Sequence, residues 1–321
     1  MKQPQLVSTS SPHLKSDMRT STAMRDVMLA LLPIVLVALY FYRGYALVLL
    51  VVCLATAAVT EVIFKKLMKK PVTLNDGSAL LTGLFVALLF SATTVWWTAA
   101  IATFIGVGIG KELMGGLGWN RFNPALFGYV AIFLLAPYVT FLNIDYTPWE
   151  VSVVSQATPL AMMHQGMEMP AWWELFTGFQ GAGAMAELSP LALLLGAAYL
   201  FYRKHIYWQT PVAILATVFV LALLFGANPL LYLITGGLFL GAFFMATDWV
   251  TSPMTDKGKV IFGIGIGLLI VMFRLGLPPT GGVAFSILIM NAFVPLIDKA
   301  TKRPSFSEPK AAASESKASS A

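Results

Sequence analysis

Ser155-Gln156-Ala157-Thr158 places a hydroxyl directly before Pro159. Proline biases the residue before it toward an extended backbone and away from helix. The Thr158 oxygen is therefore expected to be accessible to another molecule. These four residues alone do not separate a reactive threonine from an ordinary solvated one. His164 nearby reads as a surface histidine.

Lys111-Glu112-Leu-Met-Gly-Gly-Leu-Gly-Trp119-Asn120-Arg121-Phe122-Asn123-Pro124 is denser in information. Its glycines allow close backbone approach or unusual dihedrals, and Asn120 and Asn123 offer amides at a helix entrance. Polar groups near membrane depth are costly and are retained mainly for function. The bland reading is a loop whose Lys111 and Glu112 reach water. Asp248, in Met245-Ala-Thr-Asp-Trp-Val-Thr-Ser-Pro253, has two readings of equal standing: it accepts a hydrogen bond from a polar ligand or helps bind an ion, or it satisfies amides at a nearby helix start. Thr73 to Gly83 reads first as a turn at Asn75-Asp76-Gly77 with Ser78 capping the next helix. Contacts to a cofactor are the second reading. Glu61 is expected to snorkel or to pair with Lys65 four residues on.

The elements that position these groups follow from composition. Of 321 residues, 58% are hydrophobic and only 11% charged, with a mean hydropathy of +0.77. Soluble domains carry about 25% charged residues, so an ordinary soluble globule is excluded, as is a disordered chain. One cysteine, Cys53, excludes a disulfide framework and a cysteine-ligated iron–sulfur cluster built by this chain alone. Three histidines leave little for haem or zinc, and no metal site is expected. The net charge of +6 reads as membrane orientation rather than nucleic-acid binding.

A spanning helix needs about 20 mostly apolar residues. Ten candidates stand out: Val27–Tyr42, Tyr45–Phe64, Ser78–Ser91, Val95–Gly110, Pro124–Phe141, Leu188–Tyr202, Pro211–Phe225, Pro229–Ala246, Val260–Phe273 and Pro279–Ile297. With both termini in the cytoplasm, 19 of the 21 Lys and Arg residues fall inside, and only Arg43 and Arg274 fall outside. That asymmetry obeys the positive-inside rule. Residues 1–25 are then a cytoplasmic segment with no signal peptide. Residues 26–141 form a first membrane half, 142–187 an external loop, 188–298 a second half, and 299–321 a disordered cytoplasmic tail. The external loop contains no Lys or Arg and is rich in aromatic residues, which suits docking at the interface or on a partner. Asn123-Pro124 and Ser252-Pro253 each follow a Gly-rich helix. This suggests two five-helix repeats, inverted because each half has an odd number of spans, with interrupted helices near a site.

Taken together, these segments resemble the D-subunit family of the Rnf electron-transport complexes, which is related to the B-subunit family of the sodium-translocating NADH:quinone reductases. The matching pieces are Ser11-Pro12-His13, Asp76 to Gly83, Gly115 to Ala125, Ser155 to Leu160 and Glu187-Leu-Ser189. They continue through Gly241 to Asp248, Thr251-Ser-Pro253, Gly281 to Phe285, Met290-Asn291 and Pro295 to Asp298. They cover roughly residues 11–303, and the short N-terminus looks more like the Rnf family than its longer relative.

The resemblance implies an all-α integral membrane fold, similar to that of urea transporters. It implies an FMN joined through its phosphate to Thr158, with Ser155 and Ala157 completing the motif. In the attachment so implied, the threonine oxygen would attack the FMN-side phosphorus of FAD, breaking the pyrophosphate bond, releasing AMP and leaving FMN as a phosphodiester. Ser152 and Gln156 stand where the attachment pattern commonly has an acidic and a small residue. The resemblance further implies a second, non-covalent flavin, riboflavin, for which the segments around Asn120, Asn123 and Asp248 are the places to look. The implied partners are the other Rnf subunits (A, B, C, E and G), a flavin transferase and membrane lipids, and the implied location is the bacterial inner membrane. The implied role is electron relay coupled to Na⁺ or H⁺ movement. The chain lacks a dinucleotide-binding fingerprint and a Cys cluster, so it is not expected to be an enzyme alone. The rival reading is a redox-free secondary transporter or channel of urea-transporter-like fold, since fold alone does not decide function. A scaffold component that has lost its flavin site is a third.

Overall fold

The computed structural model describes residues 19–136, 159–160, 162, 167–178, 183–276 and 282–302. Every regular element among them is helical. In chain order they are α1 (Thr20–Ala30), α2 (Leu32–Tyr42), α3 (Gly44–Leu67), α4 (Ser78–Leu89), α5 (Trp96–Phe104), α6 (Pro124–Leu135), α7 (Trp172–Thr177), α8 (Pro190–Tyr202), α9 (Gln209–Leu224), α10 (Pro229–Ile234), α11 (Leu238–Leu240), α12 (Asp256–Gly276) and α13 (Gly282–Thr301). α5 runs on as π-helix over Ile105–Leu113, and α11 does so over Gly241–Met245.

Among the described residues, four stretches are long and apolar enough to cross a membrane: Thr20–Tyr42, Gly44–Leu67, Asp256–Gly276 and Gly282–Thr301. α4, α6, α8 and α9 are shorter apolar helices. Leu36, Val51, Val59, Leu224 and Met272 are all exposed. Large apolar side chains spread over so many helices suit a lipid-facing surface and would be a liability in water. Inside, Leu31, Ile34, Leu49, Leu88, Leu126, Phe262 and Ile270 join one continuous core.

Three helices start with the same device. Asn123, Ser189 and Asn228 accept backbone N–H bonds at the entrances of α6, α8 and α10, and a proline follows each cap. The side-chain oxygen satisfies an orphan donor, and proline loses nothing where its N–H would be unpaired anyway. α4 departs from expectation. Ser78 does not cap it; Asp76 Oδ1 accepts from both the Ser78 backbone N–H (2.7 Å) and its hydroxyl (2.5 Å).

Helices close on one another through small residues. A Cβ at Gly263 would lie 2.8 Å from the Thr210 carbonyl oxygen, and one at Gly267 would lie 2.7 Å from Thr217 Cβ. These glycines, one turn apart on α12, let α9 come into direct backbone contact, as small-residue repeats do in membrane bundles.

The expected eighth span, Pro229–Ala246, is not one helix. Thr235 is extended, and Gly236 and Gly237 have φ of +68° and +67°, which separates α10 from α11. Arg274 closes this break. Charge counting places it in an external loop, but it is almost wholly buried within α12. Its guanidinium donates to the carbonyl oxygens of Tyr232 and of Thr235, the latter at 2.8 Å. These carbonyls have lost their helical partners, and the forked guanidinium is shaped to satisfy two at once.

The two segments expected to correspond across a repeat also differ locally. Asn123 caps a helix, whereas the Ser252 N–H donates to the Asp248 carbonyl within a turn. A closer internal match is Leu80-Leu81-Thr82-Gly83 with Leu233-Ile234-Thr235-Gly236. In both, the threonine hydroxyl donates to the carbonyl four residues back, on Ser78 and Leu231.

Candidate functional site

A cavity of about 370 Å³ opens where α1, α4, the end of α8 and the loops after both π-helical segments converge. α1 contributes Thr20, Ala23, Met24 and Val27, and α4 contributes Ser78, Leu81, Thr82 and Phe85. Each set has the i, i+3, i+4, i+7 spacing that puts side chains on one helix face. The first π segment and its loop add Lys111, Leu117, Gly118, Asn120 and Asn123. The second adds Phe244, Thr247, Asp248, Trp249 and Val250, and His205 and Ile206 complete the wall. π-turns recur at functional sites because they shift side chains out of the regular helical register. Here both lead into the cavity.

Asn120, Asn123 and Asp248, singled out from sequence, therefore meet at one site. Their roles differ. Asn123 Oδ1 accepts from the backbone N–H of Ala125 (3.1 Å) and Leu126 (3.4 Å). The Asn123 N–H donates to Asn291 Oδ1, and the Asn291 amide donates to the Thr251 carbonyl. Asn123 thus ties the first π loop to the second. Asn120 donates through Nδ2 to the Phe122 carbonyl, while its buried Oδ1 has no partner among the described residues. Such an oxygen is costly unless a ligand or water answers it. Asp248 accepts from the Thr251 hydroxyl at 2.9 Å. Burial pushes its carboxyl above the usual carboxylate range, against the pull of Thr251 and of the backbone at Val250 and Trp249.

Lys111 and Glu112 do not reach water; both are buried. Lys111 Nζ donates to Ser78 Oγ (2.6 Å) and lies 3.1 Å from Glu61 Oε2 and 3.5 Å from Glu112 Oε1. Lys65 lies 3.2 Å from Glu112 Oε2. Glu61 neither snorkels nor pairs with Lys65. It is fully buried, and the Thr73 hydroxyl donates to its other oxygen at 2.7 Å. Two lysines and two glutamates thus form a neutral buried cluster, with one lysine at the cavity wall.

A second polar group backs the wall at His205. Asp26 accepts from Tyr199 (3.0 Å), Arg203 (2.9 Å) and His205 Nε2 (2.6 Å). Asp26 and His205 were not marked out by sequence reasoning. An aspartate one residue before an apolar run and a lone histidine give no signal until the fold joins α1 to the end of α8.

The lining fits a largely apolar small molecule that carries a hydrogen-bond donor. Apolar and aromatic groups (Leu81, Phe85, Phe244, Trp249) enclose a few polar ones, and the unanswered Asn120 oxygen calls for a donor. The volume falls within the roughly 300–1,000 Å³ typical of small-molecule sites. Ser155, Ala157 and Thr158 lie outside the described residues. Leu160, just beyond them, is buried at the α10–α11 break, where its Cδ2 lies 2.9 Å from a Cβ built on Gly236.

Regular elements that are all helical among the described residues, lipid-length apolar helices and a polar-edged pocket between loops fit a multi-pass membrane protein. Residues 7–307 match the model of the NQR2, RnfD, RnfE family, and the chain belongs to that family. It is 41% identical over 303 residues to the D subunit of the Na(+)-translocating ferredoxin:NAD(+) oxidoreductase complex of Acetobacterium woodii, covering 92% of this chain and 94% of the relative. It is 38% identical to the D subunit of the proton-translocating ferredoxin:NAD(+) oxidoreductase complex of Clostridium ljungdahlii, covering 93% and 95% of the two chains. It is also 34% identical to the D subunit of the ion-translocating oxidoreductase complex of Aliivibrio salmonicida, covering 92% and 96%.

Proposed function

We propose that this chain is a membrane subunit of an Rnf-type ion-translocating ferredoxin:NAD⁺ oxidoreductase, holding one FMN covalently on Thr158 and a second flavin, riboflavin, in the cavity. The observation that carries the reading is the convergence of Asn120, Asn123 and Asp248 on one pocket with an unanswered buried acceptor. The names of full-length relatives support the complex.

In this reading the ten apolar segments cross the bacterial inner membrane as two inverted halves. The positive-inside count puts the cavity at the cytoplasmic end and Thr158 outside. Flavin supplies the electron chemistry when bound, and the protein fixes its position and tunes its surroundings. Asn120 Oδ1 accepts from the ligand, Lys111 holds Ser78 at one wall, and the buried Phe85 and Phe244 exclude water. NAD⁺ and iron–sulfur chemistry belong to partner subunits. Relatives at 41% and 38% identity are named for Na⁺ and for protons, so the overall likeness of the chain does not select the ion.

The test is to denature the purified protein and assay the flavin released. Riboflavin in the supernatant at near-stoichiometric yield, reduced in Asn120→Leu, supports the pocket assignment. No released flavin from wild type overturns it.

A further inference from the structure

We infer that His205, oriented by Asp26, forms a hydrogen bond to the occupant of the cavity and makes its binding depend on pH; this rests on the cavity being a flavin site. His205 lines the cavity and is 3% exposed. Its Nε2 is 2.6 Å from Asp26 Oδ2. Its Nδ1 is buried and has no partner among the described residues. The backbone fixes the residue as well, because Trp249 Nε1 donates to the His205 carbonyl at 2.7 Å.

The tautomer follows from the partners. A carboxylate can only accept, so Nε2 carries the proton and Nδ1 presents a lone pair. Arg203 donates through Nε to the same Asp26 oxygen at 3.0 Å. One positive charge therefore already answers the carboxylate, and the imidazole can do so while neutral. A neutral His205 has one buried acceptor to offer, and the matching ligand group is a hydroxyl or an imide N–H. A flavin carries both. Protonation of Nδ1 turns the acceptor into a donor and removes the bond. The other titratable groups facing this corner are Asp26 on α1, Tyr199 and Arg203 at the end of α8, Asp248 in the second π loop and Lys111 across the cavity.

The sign is fixed by the neutral form being the binding form. Affinity is full at the alkaline end and falls as acid protonates Nδ1. Losing that one hydrogen bond weakens affinity about tenfold.

The experiment first washes non-covalent flavin from the purified full-length chain in detergent, then titrates it with riboflavin, reading quenching of flavin fluorescence between about pH 5 and pH 8, where imidazoles change charge. Wild type is expected to weaken toward acid. His205→Gln, which keeps an acceptor, and His205→Phe, which does not, should both lose that dependence, and Gln should retain more of the alkaline affinity. Asp248→Asn should keep the dependence. Wild-type binding that does not vary with pH, or variants that titrate like wild type, overturn the role of His205 and leave the pocket standing. A wild-type chain that neither carries riboflavin as purified nor binds it after washing overturns the pocket reading and this one with it.

Discussion

Lys111 and Glu61 meet 3.1 Å apart, one from the π-helical continuation of α5 and the other from α3, and both are closed off from solvent. Their bond joins the cavity wall, through Ser78 on α4, to the interior of the first half of the chain. Breaking one partner of a buried ion pair costs about 3–5 kcal/mol, because the survivor is left charged and unanswered. Lys111→Met is therefore expected to lower the thermal midpoint in detergent sharply. Adding Glu61→Gln restores neutrality, since Lys65 still answers Glu112, and should recover much of the loss. A double variant less stable than the single one would contradict the pairing.

Arg274 should behave as a cap for a broken helix. Its two bonds to the Tyr232 and Thr235 carbonyls are charge-assisted, worth roughly 1.5–3 kcal/mol each. Arg274→Met removes both and should destabilise the fold strongly. Arg274→Lys keeps the charge but loses the fork, so its stability should fall between those of wild type and the Met variant. Chemical denaturation in mixed micelles orders the three. A Lys variant as stable as wild type would show that the fork is not needed at the break.

Asp248 has opposite effects on fold and ligand. Its carboxyl is raised on folding, so the folded state disfavours the charged form. The cost is absent below the ordinary carboxylate range and is felt as pH rises through the raised value. Asp248→Asn should leave stability at neutral pH unchanged or slightly higher, while reducing flavin retained by the cavity. Thermal melts at acidic and neutral pH, alongside flavin release, check both halves. A marked loss of stability at neutral pH would show that the charge is needed for folding.

The apolar segments were legible because hydropathy acts over whole helices: among the described residues four stretches are long and apolar enough to cross a membrane, four further apolar helices are shorter, and the expected span Pro229–Ala246 is split at Thr235–Gly237. Asn120, Asn123 and Asp248 were legible because polar residues at the edge of apolar runs stand out. What sequence reasoning missed depends on partners remote in the chain. Glu61 looked like a partner for Lys65 because they are one turn apart, yet each bonds to the π segment instead. Arg274 looked external because charge counting places residues only by the ends of spans. Hydropathy averages could not show the π-turns, which change the register of a helix without changing its composition.

The most direct measurement is in-gel flavin fluorescence on the denatured chain, co-expressed with a flavin transferase, comparing wild type with Thr158→Val. Valine keeps the shape of threonine and removes the oxygen that would carry the phosphate. A fluorescent band is expected in wild type, with its label on the peptide containing Thr158, and no band in the variant. A wild-type chain without fluorescence, when the transferase labels a control substrate, would contradict it.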